Sequence, residues 1–85
     1  MSYTILIEKS AQKDLSKSPQ QDQNRIIKAI KNLSKNPHPS GSKKLSGREA
    51  WRIRVGTYRV IYEIHEDKQI VLVVVIGHRK EIYRF

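Results

Sequence analysis

Six cations crowd the stretch from Lys43 to Arg59, namely Lys43, Lys44, Arg48, Arg52, Arg54 and Arg59, against the single acid Glu49. Arginine carries a planar, permanently charged fork of donors that matches phosphate oxygens in pairs. Several such forks on one surface suit a polyanion better than a merely solvated face requires. A second concentration closes the chain: His78-Arg79-Lys80-Glu81-Ile82-Tyr83. It joins a side chain that titrates near neutrality, fixed cations, and an aromatic ring able to stack on a base. These are the parts needed to cut RNA without a metal. A base takes the proton of a ribose 2′-hydroxyl, cations stabilise the pentavalent phosphorane, and an acid protonates the departing 5′-oxygen. The same residues also fit a plainer reading, with His78 a lone histidine at a strand end and Tyr83 and Phe85 packing a sheet edge. His38 and His65 have no partner at metal-ligand spacing and there is no cysteine, so neither a metal site nor a cofactor is read.

The elements that must position these groups follow from periodicity. Tyr3, Ile5 and Ile7 alternate and predict a short first strand over Met1–Ile7. Ser10 is placed to cap a brief helix carrying Ala11 and Leu15. Ser18-Pro19, with Gln21 three residues after the serine, signals the start of a second helix. Ile26, Ile27, Ile30 and Leu33 recur there at helical spacing, and Asn36-Pro37-His38-Pro39-Ser40-Gly41 must end it.

The second half changes period. Trp51, Ile53 and Val55 alternate with Arg52 and Arg54, and Gly56-Thr57 offers a two-residue turn with glycine first. Tyr58–Ile64 forms the return strand, and Glu66-Asp67-Lys68 the next turn. Gln69–Ile76 is apolar on both faces and reads as a central strand, with Gly77 breaking it and Glu81–Tyr83 available for a last short strand. The expected architecture is α+β: a strand, a two-helix hairpin, then an antiparallel sheet of three to four strands in one domain spanning residues 1–85. With Gly56-Thr57 as the loop, Val55 faces Tyr58, Arg54 faces Arg59, Ile53 faces Val60 and Trp51 faces Tyr62. The apolar set then packs on the helices, and Arg52, Arg54 and Arg59 share the other face. Like charges directly opposite on antiparallel strands cost up to about 1 kcal/mol, so the arrangement asks for an anionic ligand. His78, Arg79 and Lys80 are expected just beyond the same end of the sheet.

Composition bounds the rest. The 85 residues hold 17 Lys and Arg against 8 Asp and Glu, a formal charge of +9, with 38% hydrophobic and 29% charged residues. A chain this long makes one core and is not disordered by composition. The apolar run Ile70–Ile76 is far short of the ~20 residues of a membrane span. No charged stretch followed by an apolar core opens the chain, so no export signal is read, and a soluble cytoplasmic protein is expected. The charge alone implies salt-sensitive, sequence-independent attraction to nucleic acid.

The run Trp51-Arg52-Ile53-Arg54-Val55-Gly56-Thr57-Tyr58-Arg59-Val60-Ile61-Tyr62, followed by Ile76-Gly77-His78-Arg79-Lys80-Glu81-Ile82-Tyr83, resembles the RelE family of bacterial and archaeal toxins. The element order and Leu45-Ser46-Gly47 before the arginine hairpin agree with it over essentially the whole chain. The resemblance implies the toxin half of a type II toxin–antitoxin pair, a ribosome-dependent messenger-RNA endonuclease that cleaves in the A site and leaves a 2′,3′-cyclic phosphate. It implies that Arg59 stabilises the transition-state phosphate, that Arg79 serves the same charge or the leaving group, and that Tyr83 stacks on the attacked nucleotide. Lys43, Lys44, Arg48, Arg52, Arg54 and Lys80 would bind RNA. Arg52 and Arg54 stand where well-studied members carry lysines, one of them proposed as general base. Arginine in a protein keeps its proton, so these two are expected to be electrostatic and His78 becomes the preferred base. The implied partners are a RelB-like antitoxin, the ribosome and messenger RNA, with no membrane. Two alternatives remain open at this point: a gyrase inhibitor like the related ParE toxins, and an RNA- or ribosome-binding protein without catalysis.

Overall fold

The computed structural model describes residues 2–47 and 49–78. Seven elements follow in order: β1 (Thr4–Ile7), α1 (Lys9–Ser16), α2 (Gln20–Leu33), β2 (Lys43–Lys44), β3 (Trp51–Val55), β4 (Tyr58–His65) and β5 (Ile70–His78). The strands form one sheet in the order β1-β5-β4-β3-β2. β2 to β5 meander antiparallel, whereas β1 lies parallel to β5, with Thr4 opposite Ile70 and Ile7 opposite Val73. The sheet is therefore mixed where the sequence predicted an antiparallel one, while the α+β class stands. The helical hairpin explains the difference. It carries the chain across one face to the far edge, and the meander returns to β1 running in the same direction.

Both helices are held by burial of a single stripe. Ala11 and Leu15 of α1, and Ile26, Ile30 and Leu33 of α2, join Ile53, Val60, Tyr62, Val71, Val73 and Ile76 in one core. Each large aliphatic side chain removed from water there contributes about 1.5–3 kcal/mol. Ile27, by contrast, lies at the flank of α2 and is 36% exposed. The helix starts differ from those expected. Glu8, not Ser10, precedes the first turn of α1, and Pro19 occupies the same place in α2. The Ser18 hydroxyl donates back to the carbonyl of Asp14 instead, while Gln23 Nε2 donates to the carbonyls of Ser16 and Ser18. Ser34, just past α2, ties the helix end to β1. Its hydroxyl donates to the carbonyl of Tyr3 at 2.7 Å, and the Tyr3 N–H donates to the Ser34 carbonyl at 2.7 Å.

Two departures in β5 bear on the site. Ile61 pairs with Val75 but Tyr62 pairs with Val73, so Val74 is surplus and the strand carries a bulge. The bulge shifts the alternation, so that Val71, Val73 and Ile76 all reach the helix side while Val74 and Val75 pack with Leu45, Ala50 and Ile61 in a second cluster. Gly77 does not end the strand. It is buried within it, opposite Arg59, and β5 continues to His78. The expected strand at Glu81–Tyr83 lies outside the described residues. Among the described residues, no helix is long and apolar enough to cross a membrane.

Tyr62 fixes the loop that follows α2. Its ring is wholly buried and its hydroxyl donates to the Pro37 carbonyl at 2.7 Å. Burial pushes the hydroxyl up from 10.0 to about 12, against a smaller opposing hydrogen bond with Ser42. A raised acid contributes stability that is fully present below its unfolded value and lost as pH rises through its folded one. Tyr62→Phe strands the Pro37 carbonyl and should cost about 1–3 kcal/mol at neutral pH. In denaturant unfolding, the gap between wild type and variant should hold through neutral pH and close as pH rises from 10.0 towards about 12. A gap unchanged across that range would remove the hydroxyl from the account.

Candidate nucleic-acid interface

The β3–β4 hairpin has the register that its sequence dictates. Trp51 opposes Tyr62, Ile53 opposes Val60, Arg54 opposes Arg59 and Val55 opposes Tyr58. Gly56 has φ 62 and Thr57 does not share the positive φ, the pattern of a II′ turn in which glycine goes first. Because directly paired residues share a face, Arg54 and Arg59 stand side by side with Cβ atoms about 5 Å apart. Arg52, two residues before Arg54, stands on that face too, opposite Ile61. Lys43 opposes Arg52 and extends the row to the sheet edge. The helices cover the other face, while on this one the arginines stand beside the second cluster of Leu45, Ala50, Ile61, Val74 and Val75.

Electrostatics at this end is unrelieved. Among the described residues, Lys44 is the only Lys or Arg in an ion pair, 3.6 Å from Glu49. Burial foremost, and then the charges of Arg59 and Arg54, draw the Arg52 guanidinium below its ordinary value. Among the described residues, the Nε atoms of Arg52 and Arg59 are buried with no hydrogen-bond partner. Such groups normally find an acceptor, and leaving a donor orphaned costs about 1–3 kcal/mol. Such donors, inside a repelling set of cations, have the chemistry to receive an anion. Alongside lies a groove of about 430 Å³ lined by Lys43, Arg52, Ile53, Arg54, the loop at 39–41 and α2. It exists because β2 is two residues long and pairs only with Trp51 and Arg52, leaving the rest of β3's outer edge open among the described residues. A smaller hollow of about 110 Å³ sits at the hairpin tip between Arg54 and Arg59.

The structure does not bring every expected residue here. His78 opposes Tyr58, whose ring packs against the helix-side core, so the histidine turns towards the helices. The two rings meet edge to face, with centroids 5.8 Å apart, over a hollow shared with Asp14, Lys17 and Ser18. His78 thus lies at the same end of the sheet as Arg59 but on the opposite face. Counting Gly77 as a break concealed this, since a residue inside a strand has its face fixed by parity. Lys44 opposes Trp51 and so leaves the arginine row, while its ammonium is committed to Glu49. Arg48, Arg79, Lys80 and Tyr83 lie outside the described residues. His38 packs edge to face on Trp51 at 4.5 Å, and His65 contacts Glu63 at 3.0 Å. One nearby cation had no sequence signal: Arg25 of α2, whose guanidinium reaches the Gly56 turn.

Residues 5–83 match the family model described as the ParE toxin of type II toxin–antitoxin systems, parDE. Toxin RelG of Mycobacterium tuberculosis is 32% identical over 99% of this chain and 99% of its own length. A putative toxin RelE1 of Methanocaldococcus jannaschii is 31% identical over 99% of this chain and 98% of its own. Among solved structures, the toxin–antitoxin complex RelBE2 of Mycobacterium tuberculosis superimposes with a TM-score of 0.83 at 27% identity, covering 93% of this chain and 100% of that one. The archaeal RelE–RelB complex of Pyrococcus horikoshii gives a TM-score of 0.83 at 27% identity, over 93% and 97%. With its sheet, its arginine hairpin and these relatives in agreement, the chain belongs to the RelE/ParE family and is a toxin of a type II toxin–antitoxin system.

Proposed function

We propose that this toxin cleaves messenger RNA in the ribosomal A site without a metal ion, the phosphate being held by the arginine row. The observation that carries this reading is the pair of buried Nε atoms on Arg52 and Arg59, without a hydrogen-bond partner among the described residues, beside Arg54. In the reaction the ribose 2′-hydroxyl loses its proton to solvent as its oxygen bonds to phosphorus, and the 5′-oxygen takes up a proton as its bond to phosphorus breaks. A 2′,3′-cyclic phosphate and a free 5′-hydroxyl result. Negative charge accumulates on the non-bridging oxygens, and preorganised donors in a site of low dielectric are worth most there. Arg59 takes the central place in this row, with Arg52 and Arg54 supplying field and binding. Arg79 and Tyr83 keep the roles that the RelE resemblance implies, charge or leaving-group assistance and base stacking. The partner we infer is a RelB-like antitoxin, since two solved neighbours are RelB–RelE complexes.

A second reading is favoured by the description of the matching family model: inhibition of DNA gyrase, as expected of ParE toxins. The two separate cleanly. A gyrase inhibitor blocks supercoiling and leaves ribosome-bound transcripts intact, whereas an RNA-cutting toxin generates new 5′ ends by primer extension and spares gyrase. Binding without new ends would reduce the protein to an RNA-binding module.

Three outcomes are expected. Arg59→Ala should lower cleavage of ribosome-bound message by roughly 100-fold or more, the scale for removing a charge stabiliser. Near wild-type cutting by that variant would sink the proposed site. Because His78 faces the helices, His78→Gln should follow the wild-type pH–rate curve throughout the range where histidines titrate. An acid limb abolished by that substitution would restore the histidine to the reaction. Arg54→Thr should raise the stability of the free toxin by a few tenths to about 1 kcal/mol, by relieving the cross-strand repulsion with Arg59. A thermal melt that shows no gain, or a loss, would contradict the repulsion.

A further inference from the structure

The β3–β4 tip carries more positive charge than the arginine row accounts for. Arg25 projects from α2, on the helix side of the sheet, to the turn. A β-carbon at Gly56 would lie 3.4 Å from its Nη2, 3.5 Å from its Nη1 and 3.6 Å from its Cζ. Near-equal distances to three atoms mean that the guanidinium lies broadside to the turn. Gly56 meets two demands at once. It supplies the positive φ of 62 that the turn needs, and its bare backbone leaves the space against which the fork lies. Arg25 has no carboxylate within ion-pair distance among the described residues. α2 is anchored by Ile26, Ile30 and Leu33, and a neutral polar side chain at this position would cover the tip without adding to the repulsion.

We propose that Arg25 is a substrate-binding residue, gripping the phosphodiester backbone of single-stranded RNA where it passes around the hairpin tip. This rests on the RNA-cutting reading given above. Arg54 and Arg59 flank the small hollow at the tip from the face away from the helices, and Arg25 reaches the same turn from the helix side. Guanidinium groups on both sides of so narrow a projection can take successive phosphates of one strand, which a lone surface arginine cannot. The contact carries no base information, because phosphate contacts position and base contacts specify. Arg25 therefore sets affinity and register of the strand, not the sequence that is cut.

The test is the salt dependence of binding. Wild type, Arg25→Gln and Arg25→Lys are titrated with a fluorescent single-stranded RNA oligonucleotide across a series of salt concentrations. Loss of one phosphate contact should flatten the plot of log K against log salt by about 0.7 and weaken binding several-fold near physiological salt. Arg25→Lys keeps the charge and should recover the slope, a rescue that a purely structural role would not give. Thermal melts of the three proteins identify any variant that has lost its fold, and the lysine variant then carries the comparison. In cleavage on ribosomes the glutamine variant should raise KM more than it lowers kcat. A wild-type slope in Arg25→Gln overturns this assignment alone, and so does weakened binding to antitoxin with RNA binding intact. Absence of salt-dependent RNA binding in the wild type overturns the RNA reading itself.

Discussion

The pairing register of β3 with β4 places every described arginine of the row in the proposed RNA site. It is fixed at one end by Gly56-Thr57, where positive φ admits a two-residue turn, and along its length by burial of Ile53, Val60 and Tyr62. Side chains on a strand alternate with period two, so a slip of one residue exchanges the faces. Such a slip would carry guanidinium groups into the core and expose the largest buried side chains. The register is thus the most heavily penalised feature to change, and it is the one that sets Arg54 opposite Arg59. Core and cationic row are two faces of one constraint.

That constraint also explains why the protein tolerates an arrangement that opposes its own stability. Cross-strand repulsion and two donors orphaned among the described residues cost free energy in the unliganded state. The helix-side core offsets them, with Tyr62, Ile26, Leu33, Val60, Val71, Val73 and Ile76 almost wholly removed from water. A cost of this kind at the proposed RNA site fits the general trade between stability and activity. A polyanion that neutralises the row would return part of the cost, so binding and stability are linked through the same three side chains.

The hairpin was legible in the sequence because each local signal agreed: strict alternation, a turn with glycine first, and helices elsewhere to cover one face. The α2 stripe was legible for the same reason. Helix starts were not, because serine hydroxyls have competing backbone partners, and Ser18 closes α1 in place of capping α2. The parallel placement of β1 depends on where the whole meander returns, which no local pattern encodes. In β5 an unbroken apolar run hides its own phase, so the bulge at Val74 left no trace and Gly77 passed for a terminator. That assumption put His78 beyond the strand and so left its face unassigned. Arg25 was invisible for another reason: its contact with Gly56 joins residues far apart in the chain, and exposed helical arginines are ordinary.

The surplus residue in β5 acts as a phase inverter. Upstream of Val74 the odd-numbered positions Val71 and Val73 point to the helices, whereas downstream that direction passes to the even-numbered Ile76 and His78. Excising Val74 would restore simple alternation with Val71, Val73, Ile76 and His78 all on the helix side, each keeping its partner on β4. The bulge is therefore a place where β5 can lose a residue without exchanging its faces, whereas a residue lost between Val71 and Val73 would turn one of those side chains away from the helices.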